Sequence, residues 1–322
     1  MKIIFKVLLL LPFLMQITNS SAQAFPSRPL TLVAPAAAGG PTDIVARIVA
    51  PILTENIGQS VIVENRGGAG LTVGTEHVAR SKPDGYTLGV GSPSSHSIPP
   101  SLYPKLPYDP IKDFAPIVHL VNSVTVLVVN PTVPAKSLKN LVALVRSKPG
   151  QINFGSGGNG TVSQLTGELF KITAGINMVH IPYKGSGPAT IALMGGEIDM
   201  MFHSLHLSIP YIKSGKLRGI GVTTLERSAL MPEMPTMNEA GLPGFQVTTW
   251  YGVFAPAGTP RDIVAKLNSA ILKGIISQET RRRLANQGLE VAGGSPEQFS
   301  ALINEDLQKW AKVVKQSGAK VD

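Results

Sequence analysis

Cysteine is missing from all 322 residues. Its absence excludes disulfides, thiolate chemistry, cysteine-ligated metal and a lipid-bearing cysteine, so stability must come from ordinary cores. Aromatic side chains are scarce at 6%, and the only run of positive charge is Arg281-Arg282-Arg283. The formal net charge of +9 is otherwise spread over single lysines and arginines, which reads as a solvated surface and not as a nucleic-acid face. No apolar stretch approaches the ~18 residues that would span a bilayer. G-x-S-x-G, the Walker loop and H-E-x-x-H are absent too, which removes the commonest hydrolase, nucleotide and zinc-protease signatures. The six histidines form no ligand pair on one helix face; His203 and His206 come closest, with no acidic cluster beside them. Neither a metal nor a cofactor is expected.

What is present starts with Lys2 and Lys6, an apolar core from Val7 to Leu14, and Ala22-Gln23-Ala24 ahead of Phe25. That pattern predicts a cleavable secretory signal peptide over 1–24 and an exported, periplasmic chain. The remaining about 300 residues exceed one comfortable core and suit two domains.

Two glycine-rich loops carry the strongest signal. Leu30-Thr31-Leu32-Val33-Ala34 runs into Pro35-Ala36-Ala37-Ala38-Gly39-Gly40-Pro41-Thr42-Asp43, and Gln151-Ile152-Asn153-Phe154 runs into Gly155-Ser156-Gly157-Gly158-Asn159-Gly160-Thr161. In each, an apolar strand gives way to a loop without bulky side chains and then to a helix. That arrangement offers unpaired amides and a positive dipole end to an anion. Strands and helices alternate along the chain, including a third glycine loop, Arg66-Gly67-Gly68-Ala69-Gly70, which predicts parallel sheets flanked by helices. Long apolar strands near 124–129 and 248–254 predict two crossings between domains, with the pattern purely helical after the second. The expected division is 25–124 plus 250–322 for one domain and 125–249 for the other. A ligand would lie in the crevice at the strand C-termini of both.

Gly39-Gly40-Pro41-Thr42-Asp43, Val63-Glu64-Asn65-Arg66, Lys82-Pro83-Asp84-Gly85-Tyr86, Leu106-Pro107-Tyr108-Asp109-Pro110, Gly167-Glu168-Leu169-Phe170, His180-Ile181-Pro182-Tyr183-Lys184-Gly185 and Phe254-Ala255-Pro256-Ala257-Gly258-Thr259-Pro260 run through the whole chain after the leader. In these segments it resembles the Bug or TctC-like periplasmic solute receptors of tripartite tricarboxylate transporters. The resemblance implies an α/β two-domain flytrap of the periplasmic-binding-protein type, type II-like, with two crossing hinge strands. It also implies a monomer that captures a small di- or tricarboxylate or acidic amino acid and delivers it to membrane permease subunits. A ligand sensor feeding a signalling partner, or a periplasmic hydrolase, are the alternatives.

The first cradle would hold a carboxylate through the amides of Ala37, Ala38 and Gly39, beside Ala36, while Asp43 caps amides or orders water. Gly155 to Gly160 also matches G-x-G-x-x-G, yet no acidic residue ends the next strand, so carboxylate binding through Gly157, Gly158 and their neighbours is the preferred reading. Ser156, Asn159 and Thr161 would add selective hydrogen bonds. The polar loop 91–96 contributes Ser94 and His96, the latter as ligand contact or local hydrogen-bonding group; Lys184, after Tyr183, is a cleft cation or an exposed lysine. His203 follows a strand where the family usually has Asp, and Gln164 stands where many members have His. Replacing a carboxylate by an imidazole removes a partner for an ammonium group, which predicts a preference for acids without an amine.

Overall fold

The computed structural model describes residues 25–320, so the expected signal peptide at 1–24 lies outside the described residues. The chain begins with β1 (Leu30–Ala34), α1 (Pro41–Ile57), β2 (Val61–Asn65), α2 (Thr72–Ala79), β3 (Thr87–Gly91) and a short α3 (Pro99–Leu102). The long β4 (Phe114–Val129) leads into α4 (Leu138–Ser147), β5 (Asn153–Ser156), α5 (Val162–Ala174), β6 (Val179–Pro182) and α6 (Ser186–Gly195). Then come β7 (Met200–Ser204), α7 (Leu205–Lys213), β8 (Arg218–Val222) and β9 (Thr248–Pro256). The chain closes with α8 (Arg261–Ile275), α9 (Gln278–Asn286), β10 (Leu289–Val291) and α10 (Pro296–Ser317).

Local chemistry sets these boundaries. The run Leu30–Ala34 is buried at Leu30, Leu32, Val33 and Ala34, as expected of a parallel strand covered by helices on both faces. Pro41 opens α1, where its missing N–H costs nothing, and Gly58 ends it in the left-handed conformation at φ 74°. For α5, Thr161 accepts the Gln164 amide at one end and Gly175 stops the helix at the other. α10 starts with a complete capping box between Ser295 and Gln298.

The strands form two sheet regions joined through β4. In the first, β1 pairs in parallel with β2 and β3, and β9 lies antiparallel between β3 and β4. In the second, β5 is parallel to both β6 and β7, while β7 and β8 pair antiparallel with the far half of β4. β4 and β9 run together from Phe114 opposite Pro256 to Val124 opposite Thr248; from Thr125 onward β4 belongs to the second region. β4 therefore begins ten residues before the strand expected at 124–129. Pro116, His119 and Asn122 break the apolar run, and the register shifts twice along this half.

Three further points differ from the sequence reading. The C-terminal segment is not purely helical, because β10 pairs with Val121–Ser123 of β4. His203 lies within β7 and not after it. α10 does not stay with the first lobe: Phe299 and Ile303 pack with Trp250 and Phe254, whereas Trp310, Val313 and Val314 join Phe154 and Phe170 in the second lobe's core. Ile98 and Leu102 join that same core.

Candidate functional site

The C-terminal ends of β1, β2 and β3 in one lobe and of β5, β6 and β7 in the other carry the loops that would border the expected crevice. Five helices of eight residues or more, α1, α2, α5, α6 and α7, begin there.

In the first lobe, Ala37, Ala38 and Gly39 are exposed at the start of α1. The amides of Ala37 and Ala38 meet no acceptor within the described residues, but Gly39 N–H donates to Asp43 Oδ2 at 2.8 Å. Gly39 is therefore not the third donor expected of this cradle, and Asp43 is the group that caps it. Burial alone would raise the Asp43 pKa; hydrogen bonds from Arg47, Gly39 and Asn65 outweigh it and hold the carboxyl below its usual range. Asn65 also donates to the Ala36 carbonyl at 3.2 Å, which fixes the loop from beneath.

The loop after β2 completes this wall. A Cβ at Gly67 would stand 2.9 Å from the Ala37 nitrogen, and one at Gly70 would stand 3.9 Å from the Asn159 carbonyl of the other lobe. Loop 66–71 thus touches both cradles. Ala69 and Leu71 hold positive φ, at 42° and 77°, a strained state for residues with a Cβ that persists only where the surroundings impose it. Its glycines were visible in the sequence; its place between the cradles was not. Tyr103 had no sequence signal at all, yet its hydroxyl lies near both Gly70 and Gly160.

The second cradle is more self-contained than its composition suggests. Ser156 is fully buried, with its Oγ 2.7 Å from His180 Nε2 and accepting the Gly158 amide. Thr161 Oγ1 donates to the Gly158 carbonyl at 2.7 Å. Gln164, also buried, accepts the Gly160 amide at 2.7 Å. Ser156, Thr161 and Gln164 therefore build the loop and do not present side chains to the crevice. The Asn159 side chain, and the amides of Gly157, Asn159, Thr161 and Ser163, have no partner among the described residues. The Gly157 carbonyl accepts the Gly185 amide at 3.1 Å, which seats the start of α6 beside that of α5.

Tyr183 is half-buried, its ring against Gly155, and Lys184 is exposed without an ion pair among the described residues. Ser94 spans the crevice, its Oγ 3.2 Å from the Val162 amide.

His96 is not a crevice residue. It is 2% exposed and stacked on Phe254 at 3.9 Å, with Nδ1 2.9 Å from Ser95 Oγ. Burial pushes its pKa down to about 3, so the ring is neutral. The flanking serines suggested solvent; the aromatic wall comes from Phe114, Trp250 and Phe254. His203 is 8% exposed near the end of β7, with Nδ1 3.0 Å from Ser208 Oγ. Burial, reinforced by His206, lowers its pKa to about 4. It too stays neutral, buried where a rim group was expected.

Comparison with known proteins agrees with this architecture. Residues 45–319 match the family described as tripartite tricarboxylate transporter family receptor. Protein BugT of Bordetella pertussis is 37% identical over 302 residues, 94% of this chain and 93% of that one. Rpa4515 of R. palustris, solved with adipate, superposes with TM-score 0.86 at 34% identity over 92% of this chain and all of the other. MatC of Rhodopseudomonas palustris, solved with bound malate, gives 0.82 at 37% identity over 90% and 100%. These likenesses establish the α/β flytrap architecture with hinge strands, and the chain belongs to the TctC family of tripartite tricarboxylate transporter receptors.

Proposed function

We propose that this receptor captures a small organic acid bearing one or more carboxylates between its lobes and delivers it to the membrane permease subunits of a tripartite tricarboxylate transporter. The observation that carries the reading is the concentration of unbonded amides in and just ahead of two helix N-termini, from Ala37 and Ala38 before α1 and from Asn159, Thr161 and Ser163 at the start of α5. Unbonded amides contributed by loops of both lobes would suit carboxylates and leave the rest of the molecule to shape and polar contacts. Lobe 25–124 plus 250–322 would close on lobe 125–249 about β4 and β9, with α10 shared between them. A ligand touching both lobes favours the closed form by its differential affinity. Export by the leader at 1–24 would place the protein in the periplasm, and the bound acid would leave chemically unchanged.

The test is a thermal-shift panel of mono-, di- and tricarboxylates, malate and adipate among them, on ligand-stripped protein. At a hundredfold excess over the dissociation constant a ligand adds about 2.7 kcal/mol of stability. No shift with any member would overturn the proposal, as would recovery of a chemically altered ligand.

A further inference from the structure

Asp306 sits where three parts of the molecule meet. On α10 it falls between Phe299 and Ile303, packed in the first lobe, and Trp310, packed in the second. Only 7% of it is exposed, and its Oδ2 accepts the indole N–H of Trp250 at 2.9 Å. Trp250 stands opposite Asn122 on β4, two residues short of the crossing at Val124 and Thr248. Burial raises the carboxyl's pKa above its usual value, against the opposing pull of the Trp250 N–H, the Lys309 charge and, more weakly, Ser97 and Trp310; Ser97 Oγ and Trp310 Nε1 are themselves buried without a hydrogen-bond partner among the described residues. Ser97 belongs to the loop whose Ser94 reaches Val162 across the crevice. Lys309, one turn along, donates to the Gln246 carbonyl at 2.8 Å, just ahead of β9.

A buried carboxylate is a costly choice for a position that needs only packing, because it loses hydration that partial hydrogen bonding does not replace. What it offers in exchange is direction: several donors converging on one point from separate elements cannot shift independently. We propose that Asp306 is the positioning residue of the hinge, one carboxylate that fixes α10, β9 and the loop 92–98 relative to one another and so sets the resting separation of the lobes. None of the crevice groups named above includes it; it would act on capture only through geometry.

The decisive measurement needs no ligand. The chain has no cysteine of its own, so Ile62→Cys and Ile191→Cys, exposed at 58% and 67% on β2 and α6, give one spin label per lobe. Electron–electron double resonance then reads the interlobe distance in the full chain. Asp306→Asn, which keeps shape but turns an amide toward the donors, is expected to broaden the distribution and shift its mean, and Trp250→Phe to do the same. Combining them should add little beyond the larger single effect. A folded Asp306→Asn protein with the parent's distribution would overturn the proposal. Should that variant fail to fold, Trp250→Phe and Ser97→Ala each remove one donor, and unchanged distributions in both would overturn it equally. Malate titration is a separate arm that rests on the receptor reading. A parent that binds malate with variants several-fold weaker extends the hinge role to capture; a parent that ignores malate bears on the proposed ligand class, while the distance result stands.

Discussion

Ser94 Oγ accepts the Val162 amide at 3.2 Å, so the loop after β3 supplies a hydrogen-bond acceptor to the first turn of α5 in the opposite lobe. The bond spends a side chain that the sequence assigned to ligand and turns it into a link between lobes. Ser94→Ala should cost about 1 kcal/mol in the form where the lobes touch, and so roughly fivefold in affinity for a carboxylate that requires that form. Calorimetric titration of a binding acid would show the loss; unchanged affinity would mean the link is broken or replaced when ligand is bound.

Gly67 has no room for a side chain. A Cβ would lie 2.9 Å from the Ala37 nitrogen and 3.2 Å from the Ala36 carbonyl carbon, both backbone atoms that cannot rotate away. Gly67→Ala should therefore displace the first cradle and weaken carboxylate binding about tenfold, or ~1.4 kcal/mol, with a smaller effect on thermal stability because the loop is exposed.

Gln164→Ala would strand the buried Gly160 amide and remove a neighbour of His180. The expected loss is about 1–3 kcal/mol of folding stability, read from the urea midpoint at unchanged slope. A wild-type midpoint would show that another group satisfies that amide.

Burial lowers the pKa of all six imidazoles, and three of them far enough to make stability clearly pH-dependent. Burial holds His96 near 3, and His180 and His203 near 4, in the folded protein, against about 6.5 when unfolded. Below pH 6.5 the unfolded chain binds more protons, so stability is intact above that value and falls on acidification through the window down to about 4. The slope approaches about 1.4 kcal/mol per pH unit for each histidine. Urea titrations between pH 7.5 and 5 should show this decline, with a shallower slope for His96→Phe. A flat profile would contradict burial in the neutral form.

A neutral His203 at the crevice end of β7 offers no counter-charge to an ammonium group. Malate or succinate should therefore bind more tightly than aspartate or glutamate, and His203→Asp should narrow the gap. Tighter aspartate binding by the unaltered protein would refute the argument.

The sequence made local features legible and hid long-range ones. α5 could be bounded to the residue, because Thr161 caps it and Gly175 stops it, and the Ser295 capping box is a four-residue pattern. The first half of β4 was obscured because its strand character comes from pairing with β9, about 135 residues away, and not from its own alternation. β10, three residues long, has no periodicity to detect. At the candidate site, the glycine loops marked where strands give way to helices, but which amides stay unbonded depends on side chains such as Asp43 and Gln164 folding back on their own loops. His96 shows the same limit: a serine-rich neighbourhood reads as wet until rings from distant strands close over it.

Because α10 is 22 residues long and embedded at both ends, it acts as a tie-rod of fixed length across the joint. The jaws cannot swing wide without sliding a helix out of a packed interior, which close packing resists. On the proposed closure about β4 and β9, that restricted travel would bound the size of solute admitted, independently of the chemistry the amides select.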